Sequence, residues 1–170
     1  INGISINGIS INGISINGNA FSAPTADGSV MTGTDFVGAQ LTATLSDGTP
    51  VQLRVDSAST LEGVNNDVWA YGVSFETSSG WARLCGDTAD GSARLAIPVD
   101  GTWDTTTGAW SNSGNVFSFA CRQASVAKCV EFGYKPWTGL ADHHHACVRM
   151  LRADYCGDGT PHTINGTQIN

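Results

Sequence analysis

The chain opens with INGISINGISINGISING, residues 1–18, in which a five-residue unit occurs three times and begins a fourth. When the isoleucine before each Asn-Gly is taken as the centre, the same spacing continues past the visible repeat. Up to residue 43, the residue two positions after each centre is Gly or Ala. The unit, called a pentad below, therefore predicts one repetitive segment over residues 1–43. Its centres from residue 6 onward are all apolar: Ile6, Ile11, Ile16, Phe21, Ala26, Met31, Phe36 and Leu41.

A period of five fits neither a flat strand nor an α-helix. Side chains alternate along a strand, so centres five residues apart would fall on opposite faces, and a helix would scatter them around its circumference. A coil that turns once per pentad keeps every centre inside and places Gly or Ala at the corners. The stretch Thr34-Asp35-Phe36-Val37-Gly38 resembles the pentapeptide-repeat family, and this resemblance implies a square, right-handed β-solenoid.

The early pentads each contain two isoleucines, which favours a different structure. Ile4, Ile9 and Ile14 stand two residues before a centre, where the pentapeptide-repeat pattern has a small side chain. They would force a wider coil, or would suit an extended strand that pairs with another chain. The pentads are therefore predicted to form a β-solenoid or a paired strand. Disordered low complexity is the third alternative, which the Ile-rich composition disfavours.

Pentads return at the other end of the sequence. Residues 162–166 form one, and residues 167–170 form most of another. Stacked repeats need capped ends, and an uncapped β-edge can accept a strand from another chain. We therefore expect the pentads to join copies of this chain into a homo-oligomer or homopolymer. The expected assembly interface is made of isoleucines: Ile1, Ile4, Ile6, Ile9, Ile11, Ile14, Ile16, Ile164 and Ile169.

The intervening residues have the patterns of a strand-rich domain. Alternating apolar residues predict a hairpin that begins at Ala39, turns at Ser46-Asp47-Gly48 and returns through Val55. A strand with four apolar residues on one face follows, with Trp69, Tyr71, Val73 and Phe75. Further short strands are predicted at residues 81–85, 94–99 and 115–120.

Two apolar stripes predict helices at the end of this domain. The first covers about residues 123–132 and ends at Gly133. The second covers about residues 139–153, and its stripe consists of Leu140, His144, Cys147, Val148 and Leu151. The sequence thus predicts a strand-dominated α+β fold. Its expected divisions are a pentad β-segment over 1–43, a globular domain over 39–161 and a return of the pentads over 162–170.

The composition narrows the classes of partner. The net charge is −7, and only 14% of the residues are charged, against about 25% in average domains. An acidic chain with few lysines is not expected to bind nucleic acid or an anionic membrane surface. We expect no transmembrane segment, since no run of 18 apolar residues occurs, and the motifs imply no cofactor.

Five cysteines lie in the second half, and none of them forms a CxxC pair: Cys85, Cys121, Cys129, Cys147 and Cys156. This spacing favours disulfides in an exported protein over a structural zinc site. A bond between Cys129 and Cys147 would join the two predicted helices. The odd cysteine is expected to be a buried thiol or to pair with a cysteine outside these 170 residues.

Several motifs of the second half are distinctive. They are residues 119–122 (FACR), 127–130 (AKCV), 133–137 (GYKPW) and, above all, 149–159 (RMLRADYCGDG). These motifs resemble the ADYC-domain family, which is named for the tetrapeptide found here at Ala153 to Cys156. The resemblance covers roughly residues 33–170. It implies an exported, extracellular or surface-bound bacterial protein with Asn-Gly repeats before the domain, and it implies no particular activity.

Two clusters of polar residues are candidates for chemistry. His143 and Cys147 stand four apart on a predicted helix and could bind a metal with His162 or Asp158. The alternative is one buried histidine, His144, beside two solvated ones. Arg149, Arg152, Asp154 and Asp158 could act in acid/base or anion chemistry, or could form ion pairs that tie the last helix to the following loop.

We expect an exported structural or assembly module, a subunit of an extracellular fibre or surface assembly joined through its β-repeats. The first alternative is a cell-surface module that binds glycan or protein through tryptophans. Alternatively, these tryptophans are core and rim residues with a structural role only. A metal-dependent enzyme that uses the His cluster is the third hypothesis. The five tryptophans are Trp69, Trp81, Trp103, Trp110 and Trp137.

Overall fold

The computed structural model describes residues 4–104, 107–112 and 115–163. Most of the regular structure is β, as the sequence predicts, and two helices follow the strands. The strands are β1 Ile4–Ile11, β2 Ser15–Asn17, β3 Ala20–Pro24, β4 Val30–Thr32, β5 Gln40–Thr44, β6 Pro50–Thr60, β7 Trp69–Thr77, β8 Gly80–Arg83, β9 Ala96–Asp100, β10 Thr102–Trp103, β11 Trp110–Ser111 and β12 Phe117–Cys121. The helices are α1 Ser125–Glu131 and α2 Ala141–Leu151.

The largest sheet closes on itself. Its strand order is β6-β5-β1-β12-β9-β7-β8, and β6 also pairs with β7. Six antiparallel strands therefore form a barrel, and β8 lies outside the ring as an added strand on β7. Closure removes free strand edges from the ring. The pairing of β1 with β12 and β5 places a pentad strand inside this barrel.

The barrel has two apolar layers. Its interior contains Ile9, Leu53, Val55 and Phe119, all essentially inaccessible to water. The outer faces of β7, β9 and β12 carry a second set of buried residues, and α1 and α2 pack against these. Because these three strands are buried on both faces, their sequences do not alternate cleanly between polar and apolar residues.

The solenoid predicted for the pentads is wrong for residues 4–32. Each of the strands β1 to β4 pairs antiparallel with its neighbours, whereas coils of a solenoid stack in parallel. The paired-strand alternative is closer, but the partners of β1 belong to the same chain. The physical reason is that two isoleucines per pentad fill the wide interior of a barrel.

A small sheet of pentads closes one end of the barrel. Its strand order is β2-β3-β4, and it spans residues 15–32. Phe21 on β3 is fully buried, and its ring stacks on Tyr71 at a centroid distance of 4.3 Å. It also meets Phe117 and Phe119 inside the barrel. Residues on both sides of the expected division at 39–43 thus share one core.

The shorter-range predictions are mostly confirmed. The hairpin of β5 and β6 forms with Leu41 opposite Leu53, and the helices are a few residues shorter at their ends than predicted. On α2, His144, Cys147 and Val148 are buried as the stripe predicts. Leu151 is 46% exposed, so its assignment to the buried stripe is wrong. It lies at the last residue of the helix, beyond the surface that α1 covers.

Candidate assembly site

A β-bulge lets the pentad strand β1 keep Ile6, Ile9 and Ile11 inside the barrel. Ile6 lies opposite Phe119, and Ile9 lies opposite Phe117, so three residues of β1 span two residues of β12. The next buried residue is Ile11, two residues after Ile9, as in a regular strand in which every second side chain lies on the same face. One bulge step of three and one strand step of two make the period of five. The period therefore places both isoleucines of a pentad on one face.

The bulge is held by Asn7 and Gly8. The Asn7 side chain bonds both backbone groups of Trp103: its amide nitrogen donates to the carbonyl, and its oxygen accepts from the N–H at 2.8 Å. Gly8 has a φ of +65°, and its N–H donates to the Ser118 hydroxyl at 3.0 Å. Glycine adopts such a φ at little cost. The motif Asn-Gly thus satisfies the backbone where the ladder is interrupted.

A second asparagine makes the same type of contact. Asn19 is 2% exposed, its amide nitrogen donates to the Trp69 carbonyl at 2.6 Å, and its oxygen accepts from the Trp69 N–H at 3.0 Å. Neither asparagine contact is predictable from the local sequence, because the backbone groups that they bond, those of Trp103 and Trp69, are far away along the chain. The available signal was the loss of the visible repeat at Asn19, where Asn stands in place of Ile.

Three successive Asn-Gly pairs, at residues 7–8, 12–13 and 17–18, have different roles in the fold. Asn7-Gly8 forms the bulge in β1, Asn12-Gly13 forms the turn between β1 and β2, and Gly18 with Asn19 forms the two-residue turn of the β2–β3 hairpin. All three glycines have positive φ. Local sequence thus specifies the left-handed residue, and the neighbouring strands decide whether it bends a strand or reverses it.

A cleft runs along the side of β2 that faces away from β3. It consists of two adjoining hollows of about 730 and 320 Å³ that share Ile14, Ser15 and Asn115. Its lining is made of hydroxyl, amide and apolar groups, with one carboxylate, Asp100. Burial raises the pKa of this carboxyl. The remaining lining residues are Ser10, Ile11, Asn12, Gly13, Ile16, Thr42, Thr44, Asn112, Val116 and Phe117.

The isoleucines of the expected interface lie in two different places, the barrel core and the cleft. Ile6, Ile9 and Ile11 lie in the barrel core, where they contact the same chain. Ile14 and Ile16 are half-buried and line the cleft. Ile4 lies at the start of β1, and Ile1, Ile164 and Ile169 lie outside the described residues. Among the isoleucines whose side chains are described, Ile14 and Ile16 are the two that stand where a second chain could reach them.

The cysteines form two disulfides. Cys85 bonds Cys121, and Cys129 bonds Cys147. The second bond joins α1 to α2, which confirms that predicted pairing. Cys156 is a free thiol and is exposed, so the buried-thiol alternative is wrong, and a bond to a cysteine outside these 170 residues stays a prediction. It lies in the loop after α2, beyond the packed faces of the helices.

The metal candidates are not brought together. The Cys147 sulfur is bonded to Cys129 and cannot act as a thiolate ligand. His143 stacks on Tyr134, and His162 stacks on Tyr155. Within the described ranges, no three His, Cys, Asp or Glu side chains form a group that could hold a metal ion.

His144 is buried, as the alternative to a metal site predicts. Its Nε2 lies 2.9 Å from the Val126 carbonyl, and its ring meets the edge of Trp103. Burial lowers the pKa of this imidazole. His144 therefore contributes to the contact between α2 and α1.

The ion pair expected between α2 and its following loop is present. Arg149 Nη1 lies 3.3 Å from the Oδ2 atom of Asp154, which is 1% exposed. The other Asp154 oxygen accepts from the Gly157 N–H at 2.9 Å. Ala153 has a φ of +58°, which turns the chain so that Asp154 points inward. This arrangement supports the structural interpretation of these charges.

The tryptophans do not share one face. Trp103 is buried, and Trp110 lies against it at a centroid distance of 6.4 Å. Trp81 lies under the guanidinium of Arg54, whereas Trp69 stacks on Tyr71 at the closed end of the barrel. Trp137, like Trp110, is partly buried and packs against the apolar layer outside the barrel. Glycan binding stays an untested hypothesis.

One five-residue sequence without isoleucine occurs twice in the chain. Thr-Ala-Asp-Gly-Ser forms a turn at residues 25–29 and again at residues 88–92. In both, the threonine hydroxyl and the serine N–H donate to the Asp carboxylate. These hydrogen bonds, led by that of the threonine, lower the pKa of Asp27 and of Asp90 to about 2.

The matched turns allow a test by substitution. Thr25→Val should raise the pKa of Asp27 toward the ordinary value and leave that of Asp90 unchanged, and Thr88→Val should do the reverse. Because each folded-state pKa lies below the unfolded value of about 3.9, each carboxylate stabilises the fold above about pH 4. That contribution is lost as the pH falls toward 2. Carboxyl carbon NMR titration measures both values, and a common shift in each variant would contradict the assignment.

Comparison with known families identifies the globular part. The family model of the ADYC domain matches residues 33–170. This chain belongs to the ADYC domain family. Comparisons with curated proteins and with solved structures gave no match.

The ADYC match begins at Gly33, after β1 to β4. It contains five of the six barrel strands, both helices and both disulfides. The sixth strand, β1, lies between β5 and β12 and comes from the pentads that precede the match. The ADYC domain of this chain is thus completed by a pentad strand.

Among the residues described, neither helix is long and apolar enough to span a membrane.

Proposed function

We propose that this chain is an exported structural module that is joined to other copies through its pentads, as a subunit of an extracellular fibre or surface assembly. The main support is the sheet β2-β3-β4, which is built of pentads and leaves the β2 edge beside an open cleft. A strand edge of this type accepts further strands.

The other features suit a structural role outside the cell. Two disulfides, one between the helices and one between β12 and the segment after β8, cross-link the domain, and such bonds persist in oxidising compartments. Among the candidate metal and acid/base residues, Cys147 is in a disulfide, His143 stacks on a tyrosine, and Arg149 and Asp154 form an ion pair. The described residues therefore support packing and pairing more directly than a reaction.

Assembly is tested on the whole chain without a tag. We expect sedimentation velocity to show species that grow with protein concentration, and electron microscopy to show fibres or ordered aggregates. Hydrogen exchange on the same material should show protection over β1 to β4. A monodisperse monomer at all concentrations, with these strands protected, would refute the proposed function.

A further inference from the structure

The outer edge of β2 has backbone groups that its hairpin does not use. β2 and β3 are joined by a two-residue turn, with Asn17 opposite Ala20 and Ile16 opposite Phe21. Residues that flank such a turn exchange their backbone hydrogen bonds, and the next pair along the strands does not. The Ile16 N–H and C=O are therefore directed away from β3. They point to the side where no strand pairs with β2 in the described part of the chain.

This edge forms one wall of the cleft. Ile14 and Ser15 line both hollows, and Ile16 lines the second. The barrel contributes Thr42 and Thr44 of β5 to the first hollow and Phe117 of β12 to the second. An extended segment that enters the cleft can therefore continue the ladder of β2 and contact the barrel at the same time. In this mode of binding, main-chain hydrogen bonds contribute affinity, and side-chain contacts contribute specificity.

The neighbouring strands indicate what kind of segment fits. The sheet already pairs pentad with pentad, since the centre Ile16 lies opposite the centre Phe21. Residues 164–169 form a pentad stretch after the globular domain, with the pattern Ile-Asn-Gly-x-x-Ile that residues 1–6, 6–11 and 11–16 also have. This stretch carries no charged side chain. An uncharged strand enters the largely uncharged cleft without the cost of desolvating an ion.

We propose that the cleft beside β2 binds residues 164–169 of a second copy of this chain as an added antiparallel or parallel strand. The inference rests on the proposed function and names the partner and the surface. The cleft and the donated strand are different parts of the molecule, so the contact is heterologous and propagates from copy to copy.

Peptide binding tests the cleft without requiring assembly. The probe is a fluorescent peptide of residues 162–170, titrated into the full chain, for which we expect saturable binding. Ile16→Pro removes the outward N–H of β2 and should weaken binding about tenfold or more. The control is Val30→Pro on β4, the opposite edge of the same sheet. The Thr25 N–H donates to the Ser29 carbonyl, so the next pair, Pro24 and Val30, is not hydrogen-bonded and the Val30 N–H also points outward.

The same variants test the contact between whole chains. Ile16→Pro alone and the double substitution Ile164→Asp with Ile169→Asp should each stop assembly, because each lacks one half of the contact. An equimolar mixture should form dimers and nothing larger, because only one productive contact remains. Unfolding midpoints of the single chains, measured by circular dichroism, show that the variants are folded.

The outcomes separate this inference from the proposed function. A peptide that does not bind, or that binds Ile16→Pro as well as the parent chain, overturns the cleft assignment. If the parent chain still forms fibres in that case, the proposed function stands through another contact. Peptide binding that is lost in Ile16→Pro, in a chain that never assembles, supports the cleft and refutes the proposed function.

Discussion

Gly8→Ala should lower the free energy of unfolding by about 2–5 kcal/mol, whereas Gly13→Ala should lower it by about 1 kcal/mol. The two glycines stand in identical pentads and both have positive φ, so the backbone strain of an alanine is the same. They differ in the space available to a side chain: a Cβ on Gly8 would overlap Cγ2 of Thr102, whereas a Cβ on Gly13 would meet nothing within 4 Å. Urea unfolding of both variants measures the difference.

A double-mutant cycle separates the steric part of this cost. Thr102→Ser removes the methyl group that an alanine at position 8 would strike and keeps the hydroxyl, which lies 2.8 Å from that of Ser111. In the Gly8→Ala background, Thr102→Ser should raise the free energy of unfolding. In the parent chain the same substitution should not raise it. Equal costs for Gly8→Ala and Gly13→Ala would show that β1 does not hold the bulge in the described position.

Ile9→Ala should cost about 2–5 kcal/mol, because Ile9 is fully buried in the barrel and its truncation leaves a cavity. Ile14→Ala should cost about 1 kcal/mol, because Ile14 is half-buried at the cleft. The isoleucine follows Gly and precedes Ser in both cases, so the two substitutions are made in the same local sequence. Thermal or urea unfolding gives the two values.

Because the sequence repeats, a shift of register could compensate for the loss of stability in Ile9→Ala. If β1 could slide by five residues, another pentad would place an intact isoleucine in the position of Ile9. The measured cost of Ile9→Ala would then fall to that of Ile14→Ala, which would contradict a single register. The observed contacts of Asn7 with Trp103 and of Ile9 opposite Phe117 lead us to expect one register.

Local patterns were sufficient for several elements of this fold. The hairpin of β5 and β6 was predictable because its alternation and its Asp-Gly turn lie within about fifteen residues. The disulfide between Cys129 and Cys147 was proposed because a bond between them would join the two predicted helices. The ion pair between Arg149 and Asp154 joins residues five apart. In each case the interacting groups are close in sequence.

The candidate site was only partly predictable. Ile14 and Ile16 were expected at an interface and do line the cleft, but the burial of Ile6, Ile9 and Ile11 within the same chain was not foreseen. The pentads have the same local preferences wherever they occur. What distinguishes them is contact with β12, more than a hundred residues away, and a single sequence carries no record of that pairing.

The five-residue frame and the left-handed glycines follow from the amino-acid sequence alone, because Gly is the residue that adopts positive φ without strain. Identical Asn-Gly pairs become a bulge at Asn7-Gly8 and a turn at Asn12-Gly13 only in the folded chain. There, Trp103 and Ser118 bond the first pair, while the second lies beside an open cleft. The tertiary structure decides between them because the long-range hydrogen bonds and the burial of Ile9 outweigh local preferences that are equal at both positions.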